Sequence, residues 1–312
     1  MNFAFLNLCH SDPELVARVS RRLTACPQFD IYIHVDAKTD AALFRAALQN
    51  CARTVIIDKR LRVYWGGFHA VEAEVELLRA ALASPRSYDY FILLQNYDYP
   101  LRSNTDIKEF FSGKRGTEYI RACDISNSKD LHFMRKYRIY NSRDDDFYLK
   151  PHPKIRMYAR YLHMLLRSVP TLMWDGVIHE RSEALKIHYG AAQWAVTREC
   201  AGYLVDFFDT HPLYNEKMAH IQFPDEEYFH TAVHNSNFKY KCSLYDEPAR
   251  RWLVNWRNLH YFEYPGEITV FTDKHFDTLI AQKDALFIRK VRTGISDALM
   301  DHLDAVAEGR SE

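Results

Sequence analysis

The run Phe223-Pro224-Asp225-Glu226-Glu227-Tyr228 sets three consecutive acids between a proline and aromatic residues. Pro224 has no N–H to lose and suits the first turn of a helix. Acids that follow it sit where a helix dipole favours negative charge. Tyr228, Thr231 and Ala232 continue at offsets of three and four, so a helix over residues 225–234 is expected. A carboxylate fixed at such a start, beside aromatic rings, can take a proton as a general base. The plainer alternative is a solvated acid cluster, since acids are routine in first turns.

The elements that must position this turn alternate along the first part of the chain. Short apolar runs at residues 3–8, 31–35, 55–57 and 90–94 read as strands. Ser11 and Glu14 stand at capping-box spacing ahead of a helix that carries Leu15, Val19 and Leu23. Val71, Val75, Leu78 and Leu82 mark a further helix, with Glu72, Glu74 and Glu76 off its apolar face. Strands alternating with helices imply an α/β domain with a largely parallel sheet covered on both faces. Ligands of such sheets bind beyond the carboxyl ends of the strands. Asp36 and Asp98 both follow strand ends and belong to the candidate pocket; turn capping is the alternative use of each.

Later segments are less regular. Residues 153–167, 197–208, 272–282 and 294–306 read as helices, and residues 239–244 and 252–254 as strands. Neither repeats nor a linker divide the chain. The expected organisation is one domain over residues 1–312.

Six segments, in order, carry a resemblance. They are Ile33-His34-Val35-Asp36-Ala37-Lys38, Trp65-Gly66-Gly67, Leu94-Gln95-Asn96-Tyr97-Asp98-Tyr99-Pro100-Leu101, Gly190-Ala191-Ala192-Gln193-Trp194-Ala195-Val196-Thr197-Arg198, Pro224-Asp225-Glu226 and Leu286-Phe287-Ile288-Arg289-Lys290. Together they resemble the core-2/I-branching N-acetylglucosaminyltransferases and peptide O-xylosyltransferases, glycosyltransferase family 14. Gln95 and Asn96 depart from the small residues often seen in the third segment. The resemblance implies a GT-A-type fold and an inverting transfer from a UDP-sugar, with Glu226 as the base, residues 1–121 mainly binding the nucleotide-sugar and residues 122–312 mainly handling acceptor and catalysis. It implies that basic side chains, not a metal, neutralise the leaving diphosphate. Arg289 and Lys290 fit that role, because a guanidinium makes paired hydrogen bonds to phosphate and lysine adds a compact charge. Arg251 is a third choice. A solvated basic turn is the alternative.

Asp36-Ala37-Lys38 has lysine where many GT-A enzymes carry the second acid of a metal-binding Asp-x-Asp motif. Asp144-Asp145-Asp146 does contain that pattern, but in a polar stretch with no strand leading in, and reads as a solvated loop. No metal and no cofactor beyond the UDP-sugar co-substrate are expected. Asp36 is placed near uridine or ribose, and Asp98 near a sugar hydroxyl or a supporting N–H. Trp65 and Trp194 are candidate walls for donor and acceptor sugars, with Gln193 on the acceptor side; core packing is the alternative for both tryptophans.

Lys+Arg and Asp+Glu both number 41, so the net charge calls for no nucleic-acid partner. The six cysteines are scattered without a CxxC pair, which fits a reducing cytosol and argues against structural zinc. With no signal peptide or membrane-spanning stretch in the sequence, a soluble, bacterial-type, cytoplasmic member is expected, with peripheral membrane contact through residues 150–167 left open. N-acetylglucosamine is the first choice of transferred sugar, on a glycan or lipid-linked glycan acceptor. Xylose, galactose and glucose stay open, as do a glycoside hydrolase and a non-catalytic carbohydrate-binding protein.

Overall fold

The computed structural model describes residues 1–141, 143–144 and 153–309. The first part runs β1 (Phe3–Cys9), α1 (Pro13–Thr24), β2 (Phe29–Val35), α2 (Ala41–Leu48), β3 (Thr54–Ile56), α3 (His69–Leu82), β4 (Tyr90–Gln95), β5 (Asp98–Pro100) and α4 (Asn104–Gly113). Then come β6 (Cys123–Asp124), α5 (Leu131–Arg138), α6 (Pro153–Ser168), β7 (Val177–Glu180), β8 (Glu183–Lys186), β9 (His188–Tyr189) and β10 (Ala195–Thr197). The chain closes with α7 (Arg198–Thr210), α8 (Pro212–Met218), α9 (Tyr228–His234), β11 (His260–Tyr261), α10 (Phe276–Ile280), β12 (Phe287–Arg289) and α11 (Asp297–Ala307).

The main sheet has the order β10-β4-β1-β2-β3. Strands β1, β2, β3 and β4 pair in parallel, and β10 joins β4 antiparallel. Alternation along β1 shows why these runs are continuously apolar. Phe3 and Phe5 enter one hydrophobic cluster, while Ala4 and Leu6 enter the other. With both faces covered there is no polar face to alternate with. The expected α/β class and its mostly parallel sheet are therefore present.

Several local expectations need correction. The cap of α1 is Asp12, not Ser11; its Oδ1 accepts from the Leu15 amide at 3.1 Å, and Ser11 instead bonds the Tyr97 hydroxyl at 2.7 Å. Residues 239–244 do not form a strand: Asn237–Lys241 is a 3₁₀ helix capped by Ser236. Leu253–Trp256 is also 3₁₀ where a strand was expected. In both, aromatic and apolar residues resemble a strand locally but the backbone coils into a 3₁₀ turn, and the pairing at the first segment is an isolated bridge between Cys242 and Glu118. Glu74 does not point away from the core of α3; it is fully buried.

Trp194 is corrected as well. It is 1% exposed and packs on Phe229 with ring centroids 5.4 Å apart, so it belongs to the core. The reason lies in β10. The Trp194 carbonyl accepts from the Leu93 amide at 2.9 Å, which fixes the chain against β4 and turns the indole inward. Trp194→Ala should therefore lower stability by about 3–5 kcal/mol, measured by urea unfolding. A variant of normal stability but weakened sugar binding would return Trp194 to the site.

Candidate active site

Among the described residues a cavity of about 550 Å³ opens beyond the carboxyl ends of the central strands. Leu8, Cys9 and His10 bring β1 to it, His34 and Asp36 bring β2, and Gln95 and Asn96 bring β4. This is where a parallel sheet leaves backbone groups and loops for a ligand. Asn96 holds the rim together: its Oδ1 accepts from the amides of His10 at 2.7 Å and Ser11 at 2.9 Å. A small residue could not make that bridge, which gives Asn96 a reason to stand here.

The acid turn forms another wall. Pro224–Glu226 is a single 3₁₀ turn, and α9 starts only at Tyr228, so the expected continuous helix from residue 225 is broken. Phe223 enters the turn with φ of 59° and places its ring on Trp65, with centroids 4.6 Å apart. The three acids part company here. Asp225 and Glu226 line the cavity, whereas Glu227 is wholly buried. Lys136 of α5 meets the buried side: its Nζ lies 2.9 Å from Glu226 Oε2 and 3.2 Å from Glu227 Oε1. Burial alone would discharge Lys136, but the Glu226 and Glu227 carboxylates outweigh it and hold the ammonium protonated.

Asp225 has no such cation. Its Oδ1 finds no hydrogen-bond partner among the described residues, and enclosure, followed by repulsion from Glu226, pushes its carboxyl up to about 7. Behind it, Glu74 is pushed up by burial and then by Asp225. The turn is also tied to the segment before β10, because the Gly190 amide donates to the Glu226 carbonyl at 2.9 Å. A Cβ on Gly190 would come within 2.3 Å of the Arg121 carbonyl oxygen and 2.6 Å of the His230 ring. Only glycine lets the backbone come this close.

Arg289 supplies positive charge to the same cavity. Its place follows from sheet register: β12 pairs antiparallel with β5 so that Arg289 stands opposite Asp98. Arg289 Nη1 donates to Asp98 Oδ1 at 2.8 Å, and Asp98 Oδ2 accepts from the Gln95 amide at 2.7 Å. His260 Nε2 of β11 lies 3.3 Å from the same oxygen. Burial would raise the Asp98 carboxyl, but Arg289 and then His260 hold it below the usual range. Lys38 contributes at the β2 end, donating to Asp36 Oδ2 at 2.6 Å. His10 reports the resulting field: burial lowers its pKa, Asp36 opposes, and Arg289, Lys38 and Lys290 lower it further.

The expected site residues thus separate. Glu226, Asp36, Trp65, Arg289 and Gln193 come together around the cavity, with Trp65 77% exposed at the mouth. Asp98 does not reach the cavity, since its buried carboxylate is consumed by Arg289 and the Gln95 amide. Lys290 does not line the cavity; its Nζ lies over the Tyr97 ring at 5.2 Å. Burial, then Arg292 and Arg289, pull its pKa down. Arg251 is elsewhere, exposed and bonded to Asp130 Oδ2 at 2.8 Å. Trp194 is in the core as described. Asp144 Oδ2 accepts from the His69 amide at 3.0 Å and so caps α3, and a Cβ on Gly67 would collide with that carboxylate. Asp145 and Asp146 lie outside the described residues. Lys136, Lys38 and Phe223 were not anticipated as site residues. Lys38 had a signal in its place after β2; Lys136 had none, being 90 positions from Glu226.

The profile of the Core-2/I-Branching enzyme family matches residues 3–279. The chain belongs to that family. Its curated relatives include xylosyltransferase oxt of Drosophila pseudoobscura pseudoobscura, 22% identical over 93% of this chain and 31% of that protein. Rat xylosyltransferase 2 is 24% identical over 72% of this chain and 23% of its own length. A probable β-1,3-galactosyl-O-glycosyl-glycoprotein β-1,6-N-acetylglucosaminyltransferase 7 of pig is 26% identical over 56% of this chain and 46% of that protein. The chain spans about a third or less of the xylosyltransferases it matches. Among solved structures, mouse xyloside xylosyltransferase 1 in its apo form aligns with a TM-score of 0.30 and 10% identity, covering 75% of this chain and 81% of that one.

Asp225 gives a pH test. In the unfolded chain an aspartate loses its proton near pH 3.9, roughly three units earlier than in the fold. Stability should therefore fall as pH rises from about 4 to about 7 and level off above, because the native state holds the proton longer. Asp225→Asn should lack this decline, so its melting-temperature advantage over the parent should widen between pH 5 and pH 8. Parallel pH curves for the two proteins would show that Asp225 does not titrate there.

Proposed function

We propose that this protein is an inverting glycosyltransferase that moves a sugar, first choice N-acetylglucosamine, from UDP to a hydroxyl of a glycan acceptor. The observation that carries the reading is that one cavity is lined both by Glu226, oriented by Lys136, and by the cations Arg289 and Lys38. Membership of the Core-2/I-Branching family supports it. Relatives named as xylosyltransferases keep xylose open as the transferred sugar.

In this mechanism Glu226 Oε2 is engaged by Lys136, and the other carboxylate oxygen takes the proton of the acceptor hydroxyl. The acceptor oxygen forms a bond to the anomeric carbon as the bond from that carbon to the UDP oxygen breaks. The electron pair leaves with UDP, and attack from the opposite face inverts the anomeric configuration. Arg289 and Lys38 stabilise the charge that develops on the diphosphate. Asp36 lies at the end of β2, where uridine or ribose would contact it, and Trp65 with Phe223 offers ring faces to a sugar. Hydrolysis would call for a pair of carboxyl groups flanking the scissile bond. Asp36, the cavity-lining acid outside the turn, is instead held by Lys38.

Glu226→Gln keeps the shape of the side chain and removes its basicity. It should bind UDP as the parent does while turnover falls by about 10²–10⁴-fold. Unimpaired turnover would rule Glu226 out as base. Basic side chains at the diphosphate also lead us to propose a metal-independent reaction. UDP release should then persist in EDTA; complete loss restored by manganese would overturn that part alone.

A further inference from the structure

Helix α6 and the 3₁₀ turn that follows it (Val169–Thr171) carry an apolar stripe turned toward solvent. Ile155, Tyr158, Leu162, Leu165, Leu166 and Val169 are between 59% and 69% exposed. At about 100° per residue these positions fall within an arc of about 100°, the width of a normal core-facing stripe. Here the stripe faces outward, and Met173, 89% exposed, extends it. The helix is anchored elsewhere. The Ser168 hydroxyl accepts from the Tyr140 amide at 2.9 Å, and the Tyr140 and His163 rings meet at 5.5 Å. An apolar patch of this extent on a protein surface marks a site of interaction.

Charge indicates the occupant. Residues 153–171 contain Lys154, Arg156, Arg160 and Arg167 and no Asp or Glu, although the whole chain is balanced at 41 of each sign. A continuous aliphatic stripe with tyrosine, on a segment of uniformly positive charge, suits an anionic surface with an apolar interior. We propose that α6 docks this protein on an anionic lipid bilayer, lying in the plane of the interface with its stripe among the acyl chains. No described helix is long and apolar enough to cross the membrane, so α6 is placed on the bilayer surface rather than through it. The docked face is close to the chemistry. Tyr140, bonded to Ser168, precedes Asn141, whose Nδ2 donates to the carbonyl of Gly66, a cavity-lining residue, at 2.7 Å. A bilayer under α6 would thus lie beside the mouth of the cavity.

Vesicle co-sedimentation tests this without depending on sugar transfer. The full chain should pellet with vesicles of phosphatidylglycerol and phosphatidylcholine. Binding should weaken by at least about fivefold on phosphatidylcholine alone or in high salt, since each basic residue near an anionic surface contributes about 1 kcal/mol. Leu162→Asp/Leu165→Asp should abolish pelleting while its circular dichroism and UDP affinity match the parent. Leu165→Ser alone, a milder change at an exposed position, should weaken pelleting several-fold and serves if the double variant does not fold. Failure to bind anionic vesicles, or equal binding by a folded variant, overturns the proposal. So does a dimer seen by sedimentation velocity and abolished by the same substitutions, because a second copy would then cover the stripe.

Discussion

The contact between Lys136 and the two glutamates is the constraint on which the site rests. Three acids in one tight turn repel one another, and Glu227 has no access to water. A buried carboxylate without a counter-ion would take up a proton or unfold the turn. Lys136 comes from α5, a different part of the chain, and meets Glu226 and Glu227 at once. Its Nζ lies over the Tyr189 ring, 4.1 Å from the centroid. That single cation fixes where the helix after the turn can begin and which carboxylate reaches the cavity. Burial pushes the Glu227 carboxyl well above the usual carboxylate range even beside Lys136, which opposes it, so removing the cation would push Glu227 further toward its protonated form and leave Glu226 without its partner.

Much of the first half was legible because parallel strands, buried on both faces, announce themselves as apolar runs. β1, β2 and β4 lie within one or two residues of the expected spans. Asp36 and Arg289 were legible too, one from its place after a strand and the other from motif order. The second half was not, and the reasons are physical. Residues 237–241 carry aromatic and lysine residues that suit a strand, but they coil into a 3₁₀ turn, and pairing is confined to the bridge that follows, between Cys242 and Glu118. The break between Glu226 and Tyr228 is set by Lys136 and by the Gly190 amide, partners that no local pattern displays. Trp194 and Asp98 each sit close in sequence to cavity-lining residues, yet strand pairing turned one into the core and committed the other to Arg289.

Family membership and the cavity meet on a division of labour among backbone elements. Parallel strand ends supply Asp36, His10 and Asn96. The small sheet β11-β12-β5 supplies Arg289, and the 3₁₀ turn supplies Glu226. None of these elements carries both the acid and the cation, so their spacing is held by packing of the whole domain.

An empty pocket lined by a carboxylate and a guanidinium has an obvious way to fail, which is to shut like a latch as the two attract. Here Arg289 and Glu226 each have a companion outside the lining, and Lys38 has one within it. Arg289 is held back by Asp98, Glu226 by Lys136, and Lys38 by Asp36. The resting protein can therefore keep opposite charges in one chamber unjoined. A ligand entering it finds Glu226 and Arg289 standing apart, each turned to its own partner rather than to the other.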